Sequence, residues 1–202
     1  VQAFGARAVA EAARAAGAKV TYVSAIGADK DSASDYARTK AEAEAAVFET
    51  VKDAIILRPS IIFGPEDGFF NKFAGMATLA PALPLIGGGE TKFQPVYVGD
   101  VAEAIARSVD GTVEGGKVHE LGGPDVRSFK ELMQDMLAVI ERKRLLVPLP
   151  FWAAKIIGSV AGLLPSPVLT RDQVTLLESD NVVSGKAKKD GRTLEGMGIA
   201  PT

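Results

Sequence analysis

Tyr36 and Lys40 stand four residues apart in Asp35-Tyr36-Ala37-Arg38-Thr39-Lys40, and a helix would stack them on one face. That face also carries Ala43, Val47 and Val51, an apolar stripe, while Arg38, Glu42 and Glu49 fall on the opposite one. A buried ammonium one turn from a phenol favours the phenolate and lowers a tyrosine pKa that is ordinarily about 10. Such a tyrosine can transfer a proton near neutral pH. The competing reading is structural, a lysine that snorkels past a tyrosine packed at a helix start. Twelve residues before Tyr36, Ser24 closes the apolar run Lys19–Ser24 and offers a hydroxyl at a strand end. His119, between Val118 and Glu120, reads as a structural residue.

The elements that must position these groups follow from the hydrophobic pattern. Residues 2–16 read as an alanine-rich helix, Lys19–Ser24 as a strand, and Ser34 as the cap of a helix reaching Val51. Ala54–Arg58 is the next strand, ended by Pro59. Phe69–Leu79 reads as a helix, Pro81–Gly89 as a Pro/Gly-rich connection with Gly87-Gly88-Gly89 as a turn, and Phe93–Val98 as a strand. A helix then runs from Gly99-Asp100 to Asp110, followed by a strand at Lys117–Leu121. Ser128 and Glu131 have capping-box spacing for a helix reaching Lys143. Leu145–Leu149 is a short apolar run, Phe151–Leu164 an apolar helix, and Thr170 with Gln173 opens the last helix. Lys186–Lys189 reads as a solvated turn. Strands alternating with helices mean βαβ units and a mainly parallel sheet, an α/β fold.

Composition closes off other classes. The 202 residues are 47% hydrophobic and 24% charged, with 23 Lys+Arg against 25 Asp+Glu, which excludes disorder and leaves no basic excess for nucleic acid. The lack of cysteine removes disulfides, thiolate metal sites and thiol nucleophiles, and one histidine removes a multi-histidine metal site. No signal peptide opens the chain, and Phe151–Leu164, which contains Lys155, is too short to span a bilayer, so no transmembrane segment is expected. A first residue other than methionine suggests a processed product or a piece of a longer chain.

The Ser24/Tyr36/Lys40 set resembles that of the short-chain dehydrogenase/reductase superfamily, in its extended and atypical branches. The resemblance continues through Leu57-Arg58-Pro59-Ser60-Ile61-Ile62-Phe63-Gly64-Pro65, Gln94-Pro95-Val96-Tyr97-Val98-Gly99-Asp100-Val101-Ala102 and Glu120-Leu121-Gly122-Gly123-Pro124. It implies that Ser24 bonds a substrate carbonyl, that Tyr36 transfers the proton, and that Lys40 binds the nicotinamide ribose and lowers the tyrosine pKa. Pro59, Ser60 and Ile62 would border the nicotinamide. The glycine-rich dinucleotide fingerprint is absent, so the pyrophosphate site is expected in residues outside this chain. The implied fold is a Rossmann-like parallel sheet lacking its N-terminal fingerprint half, with a smaller α/β C-terminal lobe. Residues 1–65 would be the C-terminal part of the nucleotide-binding domain, and 66–202 a substrate or partner lobe interleaved with the sheet. Such a half sheet has an exposed inner edge.

Ile61, where many sugar-nucleotide members place Asn, and the lone Lys92 before Phe93 disfavour a nucleotide-sugar epimerase or dehydratase. Residues 23–47, Phe69 to Leu85, and above all Thr170–Ser184 are similar to bacterial relatives of the nucleotide-binding accessory subunit of respiratory complex I. This narrower resemblance implies a bound NAD(P), with NADP(H) favoured over NAD(H), and a structural or assembly role. The partners would be complex I subunits at a membrane surface, and the location cytoplasmic or peripheral on the inner face of the cytoplasmic membrane. The alternative is an active NAD(P)-dependent oxidoreductase or epimerase using Ser24, Tyr36 and Lys40.

Overall fold

The alanine-rich start forms a helix because nothing in Gln2–Ala15 is β-branched except Val9. The computed structural model describes residues 2–161 and 169–202. In chain order the elements are α1 (Gln2–Ala15), β1 (Thr21–Val23), α2 (Asp35–Thr50), β2 (Ile55–Pro59), β3 (Ile62–Phe63), α3 (Phe70–Leu79), β4 (Ala82–Ile86), β5 (Lys92–Phe93) and β6 (Val96–Tyr97). They continue with α4 (Val98–Asp110), β7 (Lys117–Leu121), β8 (Arg127–Ser128), α5 (Phe129–Val139), β9 (Leu145–Leu149), α6 (Phe151–Ala161), α7 (Arg171–Leu176) and α8 (Gly185–Lys189). The chain forms two units, Val1–Ile62 with Gln94–Pro124 and Val182–Thr202, and Phe63–Phe93 with Asp125–Asn181.

In the first unit β1, β2 and β7 make a parallel sheet in that order, with Val23 beside Leu57 and Leu57 beside His119. One face packs Ile55, Leu57 and Leu121 against Val96, Val101, Ala104, Leu194, Met197 and Ile199. On the α1/α2 side, Ala10, Val47, Val51 and Ala54 form a second core with Tyr22 and Phe48. The two edges differ. Along β7, Glu120 N–H donates to Arg192 O at 2.9 Å, and Arg192 Nη1 donates to Val118 O at 2.7 Å. Along β1, β2 is the one strand neighbour among the described residues.

In the second unit β4 pairs in parallel with β9, and β5 antiparallel with β8. Phe69, Phe73, Phe93 and Phe129 form an aromatic cluster whose pairs are edge-to-face except for the tilted Phe69–Phe93 pair. Ile86, Ala154 and Val174 form a separate small core, and Lys155 pairs with Glu178 at 2.8 Å. A Cβ on Gly158 would meet the backbone at Thr170 and Arg171 at 2.8 Å, so glycine permits the approach of α6 to α7.

Four local expectations are corrected. Pro81–Gly89 holds strand β4, because Leu83 and Leu85 alternate inward, Ile86 is buried beside them, and β4 needs only one neighbour. The expected strand Phe93–Val98 is two short ones, broken at Gln94-Pro95, where proline has no N–H to give a ladder. Helix α5 stops at Val139 because Glu141 adopts a left-handed φ of 54°, with Glu141 N–H to Ala138 O and Arg142 N–H to Leu137 O closing a Schellman turn. Lys186–Lys189 lies in helix α8, capped by Ser184, so α7 is not the last helix. Leu163 and Leu164, counted with the apolar helix, lie outside the described residues.

Candidate functional site at the carboxyl edge of the sheet

Ser34 is extended (φ −83°, ψ 127°) and its hydroxyl accepts from Ala37 N–H at 3.3 Å, which starts α2 one residue before Asp35. That start sets the phase of the helix, so Tyr36 and Lys40 come round toward β1. Lys40 Nζ donates to Val23 O at 3.1 Å and stands 5.3 Å from the ring centre of Tyr22 and 5.8 Å from that of Tyr36. The ammonium is thus held between two aromatic faces at the carboxyl end of β1, an arrangement that favours a cation.

Ser24 follows directly. Its N–H donates to Leu57 O at 2.7 Å, and its hydroxyl is buried with no partner among the described residues. A buried hydroxyl without a partner is costly and rare enough to need a reason. Next along, Ile26 N–H donates to Pro59 O at 3.0 Å and Ser60 N–H to Leu121 O at 2.8 Å, so the ends of β1, β2 and β7 lie side by side. The Ser60 hydroxyl accepts from Gln94 N–H at 3.3 Å. Gln94 in turn donates to Gly123 O and accepts from Val183 N–H. A Cβ on Gly122 would strike Gln94, and one on Gly123 would strike Pro95 O, so the Gly-Gly pair admits the Gln94-Pro95 segment that crosses it. Ile62 packs against the Leu57–Val96 core.

The electrostatics depart from the spacing argument in one respect. Burial raises the Tyr36 pKa above the ordinary tyrosine value. Lys40 is lowered by burial, with the Glu44 charge opposing. The lowered phenol expected from the four-residue spacing is therefore corrected. The lysine spends one donor on Val23 O and faces the tyrosine ring from 5.8 Å. At neutral pH the Tyr36 phenol is therefore protonated. Two groups had gone unnoticed in the sequence: Tyr22, whose ring flanks the ammonium, and Glu44, buried on α2. Glu44 is four residues beyond Lys40 on the buried stripe, a spacing that was open to view. No cluster of metal-ligating residues occurs among the described residues.

Residues 5–121 match the model of the 3-beta hydroxysteroid dehydrogenase/isomerase family. The mitochondrial NADH dehydrogenase (ubiquinone) 1 alpha subcomplex subunit 9 of Arabidopsis thaliana is 42% identical over 177 residues, 83% of this chain and 44% of its own length. Ceramide reductase of Caulobacter vibrioides is 36% identical over 150 residues, 72% of this chain and 46% of its own. The chain spans about half the length of these curated relatives. The solved dTDP-glucose 4,6-dehydratase of Streptomyces venezuelae with NAD and TYD bound superposes with a TM-score of 0.66 at 18% identity, covering 98% of this chain and 60% of that one. It shares the fold.

Proposed function

The chain belongs to the 3-beta hydroxysteroid dehydrogenase/isomerase family, and on that premise we propose that it carries the nicotinamide-ribose end of an NAD(P)-binding protein with a structural role in a respiratory NADH:ubiquinone oxidoreductase. The observation that carries this reading is the carboxyl edge itself. Ser24 has a buried hydroxyl with no partner among the described residues, and Lys40 has spent one of its three donors. These groups fit a ribose and a carbonyl oxygen. Lys40 would donate to the ribose hydroxyls, and Ser24 and the protonated Tyr36 to an oxygen above the nicotinamide, with Pro59, Ser60 and Ile62 bordering the ring. A dinucleotide held there would supply hydride chemistry. The resemblance to the accessory subunit favours NADP(H) over NAD(H), and the 42% identity to the Arabidopsis subunit supports the respiratory assembly as partner.

A peripheral position on the inner face of a bacterial cytoplasmic membrane accords with helix α6. Trp152, Ile156 and Val160 are 69%, 60% and 66% exposed and recur at the four-residue spacing of one helix face. No helix among the described residues is long and apolar enough to cross a membrane. The exposed face suits contact with a partner subunit at that surface.

The complete Ser24/Tyr36/Lys40 set and the 36% identity to ceramide reductase favour a second reading, an active NAD(P)-dependent oxidoreductase. One experiment separates the two. The full-length protein is purified with its nucleotide, tested for oxidation of NADPH by a panel of small and lipid-like carbonyl compounds, and its gene is deleted from the host. The structural reading expects bound NADP(H), no turnover, and loss of assembled NADH:ubiquinone oxidoreductase on native gels. Turnover with an intact respiratory complex after deletion would establish the second reading instead.

A further inference from the structure

Two charged side chains, Glu44 of α2 and Arg58 of β2, meet beside the Ser24/Tyr36/Lys40 edge. Arg58 Nε donates to Glu44 Oε1 at 2.8 Å and Nη2 to Oε2 at 2.5 Å. The Glu44 side chain is only 7% exposed and that of Arg58 23%. This forked pairing engages both carboxylate oxygens with the planar guanidinium, which a lysine could not do. Glu44 also lies one turn beyond Lys40 on the same helix, the separation at which a lysine and a glutamate ordinarily pair. Its charge reaches Lys40, acting to raise the lysine pKa against the larger, opposite effect of burial. Yet Lys40 points elsewhere, to Val23 O and the two tyrosine rings.

We propose that Arg58 is a positioning residue for the Lys40 ammonium. By holding both oxygens of Glu44, it keeps that carboxylate from drawing Lys40 along α2, and so leaves the ammonium at the end of β1 beside Tyr36. The groups that bear on Lys40 come from each element around it: Tyr22 from β1, Tyr36 and Glu44 from α2, and Arg58, acting through Glu44, from β2. The consequence for nucleotide binding rests on the proposed function; the positioning rests on these side chains alone.

The test measures the pKa of Lys40 in the full-length protein, by NMR of reductively methylated lysines with Lys40→Arg to assign the signal. Arg58→Lys keeps the charge but can occupy Glu44 with a single ammonium, which frees one oxygen for Lys40. The expected result is an upward shift of the Lys40 pKa by about half a unit or more, since a carboxylate partner favours the charged form. Arg58→Gln combined with Glu44→Gln retains an amide pair without a carboxylate, and Lys40 should then keep the wild-type pKa or fall below it. Circular dichroism confirms that each variant is folded. An unmoved Lys40 in Arg58→Lys overturns the proposal, as does an equal upward shift in the double variant. NADP(H) titration of Lys40→Ala separates the two ideas. If Arg58→Lys shifts Lys40 while Lys40→Ala leaves nucleotide affinity unchanged, the positioning holds and the assignment of this edge to the ribose fails.

Discussion

Replacing His119 by Leu should stabilise the protein, and most at mildly acidic pH. His119 lies in β7 beside Leu57, is 5% exposed, and neither ring nitrogen has a partner among the described residues. An unsatisfied buried polar group costs about 1–3 kcal/mol, and a leucine would replace the ring with apolar volume on the face that packs Ile55, Leu57 and Leu121. Allowing for imperfect packing, the gain at pH 7.5 should be about 1–2 kcal/mol, or about 3–6 °C in thermal midpoint for a chain of this size. The pH dependence gives an independent check. Burial holds the His119 pKa below its ordinary value of 6.5, reinforced by Arg192 and Lys117 and opposed by Glu114. The unfolded chain therefore takes up a proton before the native one does. This contribution to stability is complete above about pH 6.5 and is lost as pH falls from there through the folded-state pKa, at up to about 1.4 kcal/mol per pH unit. The assay is urea unfolding of wild type and His119→Leu at pH 7.5 and 5.5, followed by far-ultraviolet circular dichroism. The advantage of the variant should widen at the lower pH. A variant less stable than wild type at pH 7.5, or a gap that does not change with pH, would refute the reasoning.

The other predictions concern the site and the exposed helix. In the full-length protein Tyr36→Phe should leave NADP(H) affinity within about twofold and reduce any carbonyl reduction by about a hundredfold or more, as read by titration and by NADPH oxidation. Lys40→Ala should weaken both, and unchanged turnover in both variants would remove the catalytic assignment. Trp152→Ser with Ile156→Ser should release the protein from a membrane-bound complex while its thermal midpoint stays within a few degrees, because both side chains are more than half exposed. A large drop in midpoint would mark them as core. Residues 1–202 alone should fail to bind NADPH or NADH at micromolar concentration in calorimetric titration, since no glycine-rich turn here cradles a pyrophosphate. Stoichiometric binding would show the cofactor site to be misplaced.

What could be read in the sequence was what is local. Ser34, Ser128 and Thr170 each cap the helix assigned to them, the last two with a full capping box. Strands β1 and β2 were visible as short apolar stretches, because a parallel strand covered on both faces hardly alternates. Strand β4 was hidden by Pro84, a residue that argues against a strand unless pairing is one-sided. The end of α5 was hidden because Glu141 takes a left-handed conformation that glycine usually marks. At the site, the four-residue spacing placed Tyr36 and Lys40 on one face but not where the ammonium points. That direction depends on Val23 O, Tyr22 and the Glu44–Arg58 pair, partners that come together only when β1, β2 and α2 do. Burial, which reverses the expected direction of the Tyr36 pKa, is likewise a tertiary quantity.

The unequal edges of the sheet bear on how this stretch would associate with itself. Arg192 caps β7 through both its backbone and its guanidinium, while β1 has a strand on one side only among the described residues. A sheet with two open edges can add copies at both and grow into a filament; one with a single open edge cannot. Two copies joined β1 to β1 would run antiparallel about a twofold axis and use up the open edge of this three-stranded sheet in each. Residues 1–202 alone should therefore sediment as monomer and dimer, whereas a ladder of larger species would show that the Arg192 cap does not terminate the sheet.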